Sequence, residues 1–234
     1  MKWQGEYCFG PTWIAFRGIS AENHLHAHAA MQLVVGKNIT VTDNTTFEKQ
    51  GDGWLIPSGI KHRIIASSPI VILLVDPDSL FANALKPTKT NSSMVINLSS
   101  KIIDALLADT TLDITINKLQ IQYQEGNDEI DPRLRAAITF LNTIDKRPTV
   151  ESISIEIGLS VSRLRALSVQ YFGIPFSKII MWKQVNLAFR SLAQNASLAD
   201  AAYNAGFADQ AHFTRILRDT IGVTPGQTQN INKP

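Results

Sequence analysis

Cysteine occurs once in the 234 residues, at Cys8, so no intrachain disulfide can form and a cysteine-based zinc site has too few ligands. That usage suits a reducing compartment. Long hydrophobic runs are also lacking: the richest, Ile70 to Val75, is strand length and far short of the ~18 apolar residues of a membrane span. Behind Met1-Lys2-Trp3-Gln4-Gly5-Glu6 no extended apolar stretch follows a basic head. The expectation is a cytoplasmic chain with no membrane partner. A glycine-rich phosphate loop, a serine or cysteine nucleophile motif and a well-spaced acid and base pair are absent, which argues against an enzyme.

Neither sign of charge dominates, the formal net charge being +2. Its distribution is uneven. Residues 1 to 125 carry 10 Lys+Arg against 11 Asp+Glu, whereas residues 126 to 234 carry 12 against 9. Three of those nine acids, Asp128, Glu129 and Asp131, fall in or beside the polar stretch Gln124 to Glu129, which reads as a linker. What remains is basic enough to face phosphates. A chain of this length is expected to form two domains, 1–125 and 126–234.

The first half reads as short strands with turn residues between them: Met31 to Val35, Ile39 to Thr42, Gly53 to Ile56, Arg63 to Ala66 and Ile70 to Val75. Such spacing suggests a small β-barrel over about residues 1–80. From about residue 97 to 124 the period turns helical, with Leu98, Ile102, Ile103, Leu106 and Leu107 on one face, suited to packing on the barrel or on a second subunit. The expected class is α+β, a β-barrel followed by an all-α domain.

The C-terminal third repeats itself. Gly158-Leu159-Ser160 opens a helical stretch ending at Gly173, and Gly206-Phe207-Ala208 opens another ending at Gly222, offsets of 48 and 49 residues. In each unit a capped short helix leads to a glycine that can turn left-handed, then to a second helix. Thr149 and Ser160 are the expected caps of the first unit. Ser197, with Asp200 three residues on, caps the second. Between them, Phe176 to Asn195 reads as one helix of ~20 residues, ~30 Å long, close to the ~34 Å turn of B-DNA. Two helix-turn-helix units held one DNA turn apart would read successive major grooves.

The segment Ala201-Ala202-Tyr203-Asn204-Ala205-Gly206-Phe207-Ala208-Asp209-Gln210-Ala211-His212-Phe213-Thr214-Arg215, with Gly222-Val223-Thr224-Pro225, resembles the signature of the AraC/XylS family of bacterial transcription regulators. The first unit is similar in Ile157 to Leu164 and in Phe172 to Phe176. The resemblance implies base readout by Ser162, Arg165 and Ala166 and by Gln210, Ala211, Thr214 and Arg215. Arg165 suits guanine and Gln210 adenine, Ala166 and Ala211 offer apolar contact, and Arg163, Arg215 and Arg218 suit phosphates. His212 is expected to pack. Ala166, Ser168 and Gln184 depart from the family's usual Arg or His, Phe and Arg, which implies a weaker first unit.

Four of the five histidines are His24, His26, His28 and His62. Gly51 to His62, through Pro57 and Gly59, resembles the second cupin motif. His26, His28 and Gln32 resemble part of the first, with Gln where Glu is usual. The resemblance implies a cupin-like sensor that binds a small effector, with Trp13, Phe16, Trp54, His26, His28, Gln32 and His62 as candidate lining. No cofactor is expected; His26, His28 and His62 are the candidate ligands were a metal to bind. The family resemblance implies double-stranded promoter DNA and RNA polymerase as partners, with a homodimer through the helix near Leu98 to Leu107. A metal-dependent cupin isomerase or oxygenase with a helical appendage is the alternative.

Overall fold

The computed structural model describes residues 3–21, 23–43, 48–86, 95–108, 111–123, 130–144, 148–227 and 231–232. The expected linker Gln124 to Glu129 lies outside them. By its contacts the chain forms two units, one of Met1–Gly126 with Thr214–Pro234 and one of Asn127–Phe213. The last helix from Thr214 onward and the tail therefore group with the sheet rather than with the other helices.

The first unit is built on eight strands: β1 (Gln4–Gly10), β2 (Trp13–Ile19), β3 (Met31–Asp43), β4 (Glu48–Ile56), β5 (His62–Ile65), β6 (Ile70–Val75), β7 (Ile96–Asn97) and β8 (Ile231–Asn232). Their order is β7-β4-β3-β6-β2-β1-β8, with β5 beside β3. All pairings are antiparallel except β1 with β8. The two expected strands Met31 to Val35 and Ile39 to Thr42 are one strand with an irregularity between Val35 and Ile39. There Asn38 takes φ 54°, and its N–H donates to an Asp52 carboxylate oxygen at 2.8 Å. An insertion of this kind bends a strand and lets it change partners. Before it, β3 pairs with β6; after it, with β5, where Asp43 stands opposite His62.

Strand alternation sorts the side chains onto two faces. Trp13, Ala15, Met31, Leu33, Val35, Leu55, Val71, Leu73 and Val75 form one, and helices cover it. The cover is Phe81 and Ala82 from α1 (Leu80–Leu85), Ile102 and Leu106 from α2 (Ser100–Leu107), and Leu112, Ile116 and Leu119 from α3 (Leu112–Gln122). The helical stretch expected from residue 97 is thus two helices lying on the sheet, with Leu107, Ile114 and Ile121 left exposed. The opposite face carries Ile14, Phe16, Gln32, Val34, Trp54, Ile56, Ile72 and Leu74.

The helical elements are α4 (Pro132–Thr143), α5 (Val150–Ile157), α6 (Val161–Phe172), α7 (Phe176–Ala193), α8 (Leu198–Asn204) and α9 (Gln210–Ile221). Asp131 caps α4 by accepting from the Arg133 N–H at 2.9 Å, with Pro132 in the first helical position. Leu134, Ala137, Ile138 and Leu141 are its buried stripe. Ile144 falls just past the helix end in extended backbone.

Candidate nucleic-acid interface and histidine cluster

Each helix-turn-helix unit is built by local chemistry. In the first, Thr149 and Ser152 exchange side-chain to backbone hydrogen bonds at 3.0 Å in both directions, Gly158 turns the chain at φ 68°, and Ser160 Oγ accepts from the Arg163 N–H at 3.2 Å. Gly173 closes α6 at φ 73°. Buried Leu164, Leu167 and Phe172 hold α6 down, so the helix presents Ser162, Arg163, Arg165 and Ala166 outward, all exposed. These are the residues expected to read DNA. Two of them are already engaged: Ser162 Oγ lies 3.1 Å from Ser160 Oγ, and an Arg165 guanidinium nitrogen lies 3.6 Å from a Glu151 carboxylate oxygen.

In the second unit Ser197 Oγ accepts from the Asp200 N–H at 3.0 Å and donates to its carboxylate at 2.6 Å. Gly206 turns the chain at φ 77°, and Asp209 accepts from the His212 N–H at 2.6 Å to start α9. Phe207 and Phe213 pack at 5.0 Å between ring centroids. His212 meets the Phe207 ring edge-on at 5.7 Å, the packing role expected of it. Gln210, Ala211, Arg215 and Arg218 are exposed and Thr214 is half-buried. Arg218 stands 3.5 Å from the adjacent Asp219. The helix α7 has 18 residues, ~27 Å at ~1.5 Å each, slightly shorter than expected.

The candidate sensor residues divide. His26, His28 and His62 come together, with ring centroids 4.4 Å apart for His26 and His62, 5.2 Å for His28 and His62 and 5.6 Å for His26 and His28. The backbone sets them: His26 and His62 exchange both N–H···O bonds, at 3.0 and 2.8 Å, and Gly59 N–H donates to His28 O at 2.8 Å. Gln32 joins from β3, its Oε1 being 2.9 Å from His28 Nε2 and 3.1 Å from His62 Nε2. All four side chains are buried. Desolvation pushes the His26 imidazole down to about 3 and lowers His28 and His62 as well, so the rings are neutral.

Trp13 does not belong with them. It lies on the helix-covered face of the sheet, whereas Gln32 lies on the other, so its expected role as lining gives way to core packing. Trp54 and Phe16 do share the face of Gln32. Trp54 is nevertheless tied into the core, its indole N–H donating to Ile39 O at 3.2 Å, and Phe16 packs edge-on against Trp3 at 4.9 Å.

A family model described as a helix-turn-helix domain matches residues 153–231. The Arabinose operon regulatory protein of Escherichia coli is 25% identical over 167 residues, which is 64% of this chain and 56% of that protein. Apo ToxT from Vibrio cholerae superposes with a TM-score of 0.62 at 12% identity, over 93% of this chain and 97% of its own. Unsaturated fatty acid bound ToxT does so with 0.57 at 12% identity, over 96% and 91%. Residues 153–231 thus carry a helix-turn-helix domain, and the chain is similar in sequence to the Arabinose operon regulatory protein. It spans about half the length of its Escherichia coli relative.

Two of the three departures that suggested a weaker first unit, Ser168 and Gln184, are buried. Ser168 is fully buried, and its hydroxyl donates to Ile174 O at 2.7 Å, tying α6 to the turn before α7. Gln184 is buried on α7, donating to Ala205 O at 2.9 Å and Gly206 O at 3.4 Å. It braces the second unit's turn instead of meeting a ligand. Sequence reasoning missed Glu151 as the partner of Arg165, although both are visibly charged, because helix faces alone do not say which charges meet. It also missed His24, Gly222 and Gln227. The His24 N–H donates to Gly222 O at 3.0 Å and the Trp3 N–H to Gln227 O at 2.9 Å. No signal marks pairs that lie some 200 residues apart.

Proposed function

We propose that this protein is a sequence-specific transcription regulator, in which α6 and α9 read promoter DNA and the N-terminal sheet unit senses a small effector. The observation that carries this reading is the pair of capped helices, each anchored by buried apolar residues and each presenting an exposed polar face. Arg165 and Gln210 supply bidentate base contacts, Ser162 and Thr214 hydroxyl contacts, and Ala166 and Ala211 apolar contacts. Arg163, Arg215 and Arg218 hold phosphates. The length of α7 suits spacing by one turn of DNA. The working division is a sensor and dimerisation domain over residues 1–125 and a DNA-binding domain over 126–234.

Likeness in fold to ToxT, which has been solved with an unsaturated fatty acid and with a naphthalenyl butenoic acid, supports control by a small molecule. Exposed Leu107, Ile114 and Ile121 on α2 and α3 suit a homodimer, which would pair two half-sites. RNA polymerase is the further partner, and the cytoplasm the site of action. Among the described residues no helix is long and apolar enough to cross a membrane. The reading is of a regulator and not of an enzyme.

Genome-wide mapping of bound DNA, followed by titration of the recovered sequence, tests this. A recurrent motif bound at least a thousandfold more tightly than random duplex is expected. Binding without sequence preference would overturn it.

A further inference from the structure

The chain's two ends meet at one edge of the sheet. Past α9 the tail makes three attachments to the N-terminal strands, all through backbone. The His24 N–H donates to Gly222 O at 3.0 Å, and the Trp3 N–H donates to Gln227 O at 2.9 Å. Ile231–Asn232 then run parallel to β1, with Ile231 opposite Gly5 and Asn232 opposite Glu6. All of these residues fall in the sheet unit, as does α9 from Thr214 onward.

Local chemistry shapes the tail for these contacts. Gly222 closes α9 at φ 77°, its own N–H bonded to Arg218 O at 2.9 Å. It lies so close to the histidine loop that a Cβ there would stand 2.5 Å from His26 Nδ1 and 2.8 Å from His24 O. Val223 is buried. Gln227 Oε1 accepts from the Thr224 N–H at 2.7 Å and from its hydroxyl at 3.1 Å, while the Gln227 N–H donates to Thr224 O at 3.0 Å. The turn that offers Gln227 O to Trp3 is therefore closed on itself.

The last attachment is the most easily undone. β8 has two residues against seven in β1, and theirs is the parallel pairing in an otherwise antiparallel sheet. Parallel ladders are slightly less stable per residue, and a short outermost strand opens locally at far less cost than the sheet behind it. With β8 away, β1 becomes the outermost strand on its side of the sheet. Two states separated by a few backbone bonds are thus available, one with the tail laid on β1 and one without.

We propose that the three attachments form a releasable clasp, which holds the C-terminal end of α9 on the sheet unit and competes with the engagement of DNA by α9. The other candidate recognition helix, α6, lies wholly in the second unit. A duplex read by both helices dictates where α9 stands relative to α6, whereas the clasp dictates where it stands relative to β1 and the His24 loop. Apparent affinity falls with the fraction of chains in the binding-competent state, so a closed clasp weakens binding in proportion to its population. The effect on DNA rests on the reading of α9 as a recognition helix; the clasp itself does not.

Hydrogen exchange at the Trp3 and His24 amides reads the clasp directly, because their acceptors are on the tail. Removing residues 231–234 deletes β8 and should speed exchange at Trp3 by about fivefold or more. Unchanged exchange overturns the clasp. Since truncation can unfold the sheet unit, a locked form is the second variant. Glu6→Cys with Asn232→Cys, in a Cys8→Ser background, sets two thiols at facing positions of neighbouring strands, whose ~4.8 Å spacing is within disulfide reach. Oxidation should slow exchange at Trp3 by about fivefold or more relative to the reduced form, and equal rates overturn the clasp.

Affinity for the mapped operator separates the competition from the regulator reading. The truncated chain should bind about fivefold or more tightly than the full chain, and the oxidised form about fivefold or more weakly than the reduced one. By linkage, operator DNA should also speed exchange at Trp3 and His24 in the full chain. Specific binding that neither change alters, or that shifts in the opposite sense, overturns the competition. Exchange that responds as expected in a chain preferring no DNA sequence leaves the clasp standing and removes the regulator reading.

Discussion

Gly173 and Gly222 end the two candidate recognition helices in nearly the same backbone conformation, φ 73° and 77°, yet their surroundings differ. A Cβ on Gly173 would meet nothing within 4 Å, whereas one on Gly222 would run into His26 and the His24 carbonyl. The first glycine is there for its left-handed turn alone; the second also lets the histidine loop approach. Similar sequence at equivalent positions therefore carries different duties. The second helix is built into the sheet unit at its far end, and the first lies wholly within the helical unit.

The largest effect expected follows from this difference. Gly173→Ala should cost ~1–2 kcal/mol, the penalty of a left-handed alanine. Gly222→Ala adds overpacking against a backbone carbonyl, typically ~1–3 kcal/mol more. Urea denaturation of both variants measures the gap. Equal losses would mean that the histidine loop yields freely and that the two helix ends are equivalent after all.

Next in size is the difference in DNA binding. Arg215→Ala should weaken operator affinity by ~10–100-fold, the span of a lost charged hydrogen bond to a phosphate. Arg165→Ala should cost less, because Glu151 competes for the same guanidinium. Glu151→Gln sharpens the point. An exposed ion pair is worth ~0–1 kcal/mol, so releasing Arg165 should tighten binding by up to a few fold. Fluorescence anisotropy on the mapped operator gives all three values, and a larger loss for Arg165→Ala than for Arg215→Ala would reverse the ranking of the two units.

A smaller contrast separates the two buried polar residues that stand where the family usually has other side chains. Ser168→Ala removes one neutral hydrogen bond to Ile174 O and should cost ~1 kcal/mol. Gln184→Ala removes a brace on Ala205 O and leaves a cavity, so ~2 kcal/mol or more is expected. Thermal unfolding of the two variants is the check, and the reverse order would shift the structural weight to the first unit.

The helical half was legible because its signals are local. Thr149, Ser160 and Ser197 cap within three residues of themselves, and Gly158, Gly173, Gly206 and Gly222 turn where the spacing placed them. The sheet was legible only in part. The hairpin of β1 and β2 escaped notice: Tyr7 and Phe9 pair with β2, and Phe16 in turn with β6, a dependence on distant partners that no local pattern announces. Trp13 was misplaced for the same reason, since the face a strand residue takes depends on its register with distant partners. The histidine cluster was visible as spacing. Its connection to Gly222 exists only once residues from β3, from the loop before it, from β5 and from the end of α9 are in one place.

The smallest effect concerns a charge at the entrance to the helical unit. Asp131 is held at about 2, first by hydrogen bonds from Arg133, with Nη2 at 2.7 Å and Nε at 3.0 Å, and to a lesser degree by the field of Arg163 on α6. A carboxyl depressed in the folded state stabilises that state above its unfolded pKa, and the contribution disappears as pH falls through about 2. Half-buried at the start of α4, it reports locally on Arg133 and on Arg163. Carboxyl NMR titration should show Asp131 moving well up toward the ordinary carboxylate range in Arg133→Ala, slightly in Arg163→Ala and not at all in Arg165→Ala, Arg165 being absent from the charges that act on it. A shift in Arg165→Ala as large as that in Arg163→Ala would mean that the whole exposed face of α6, rather than its first turn, sets the field at the start of α4.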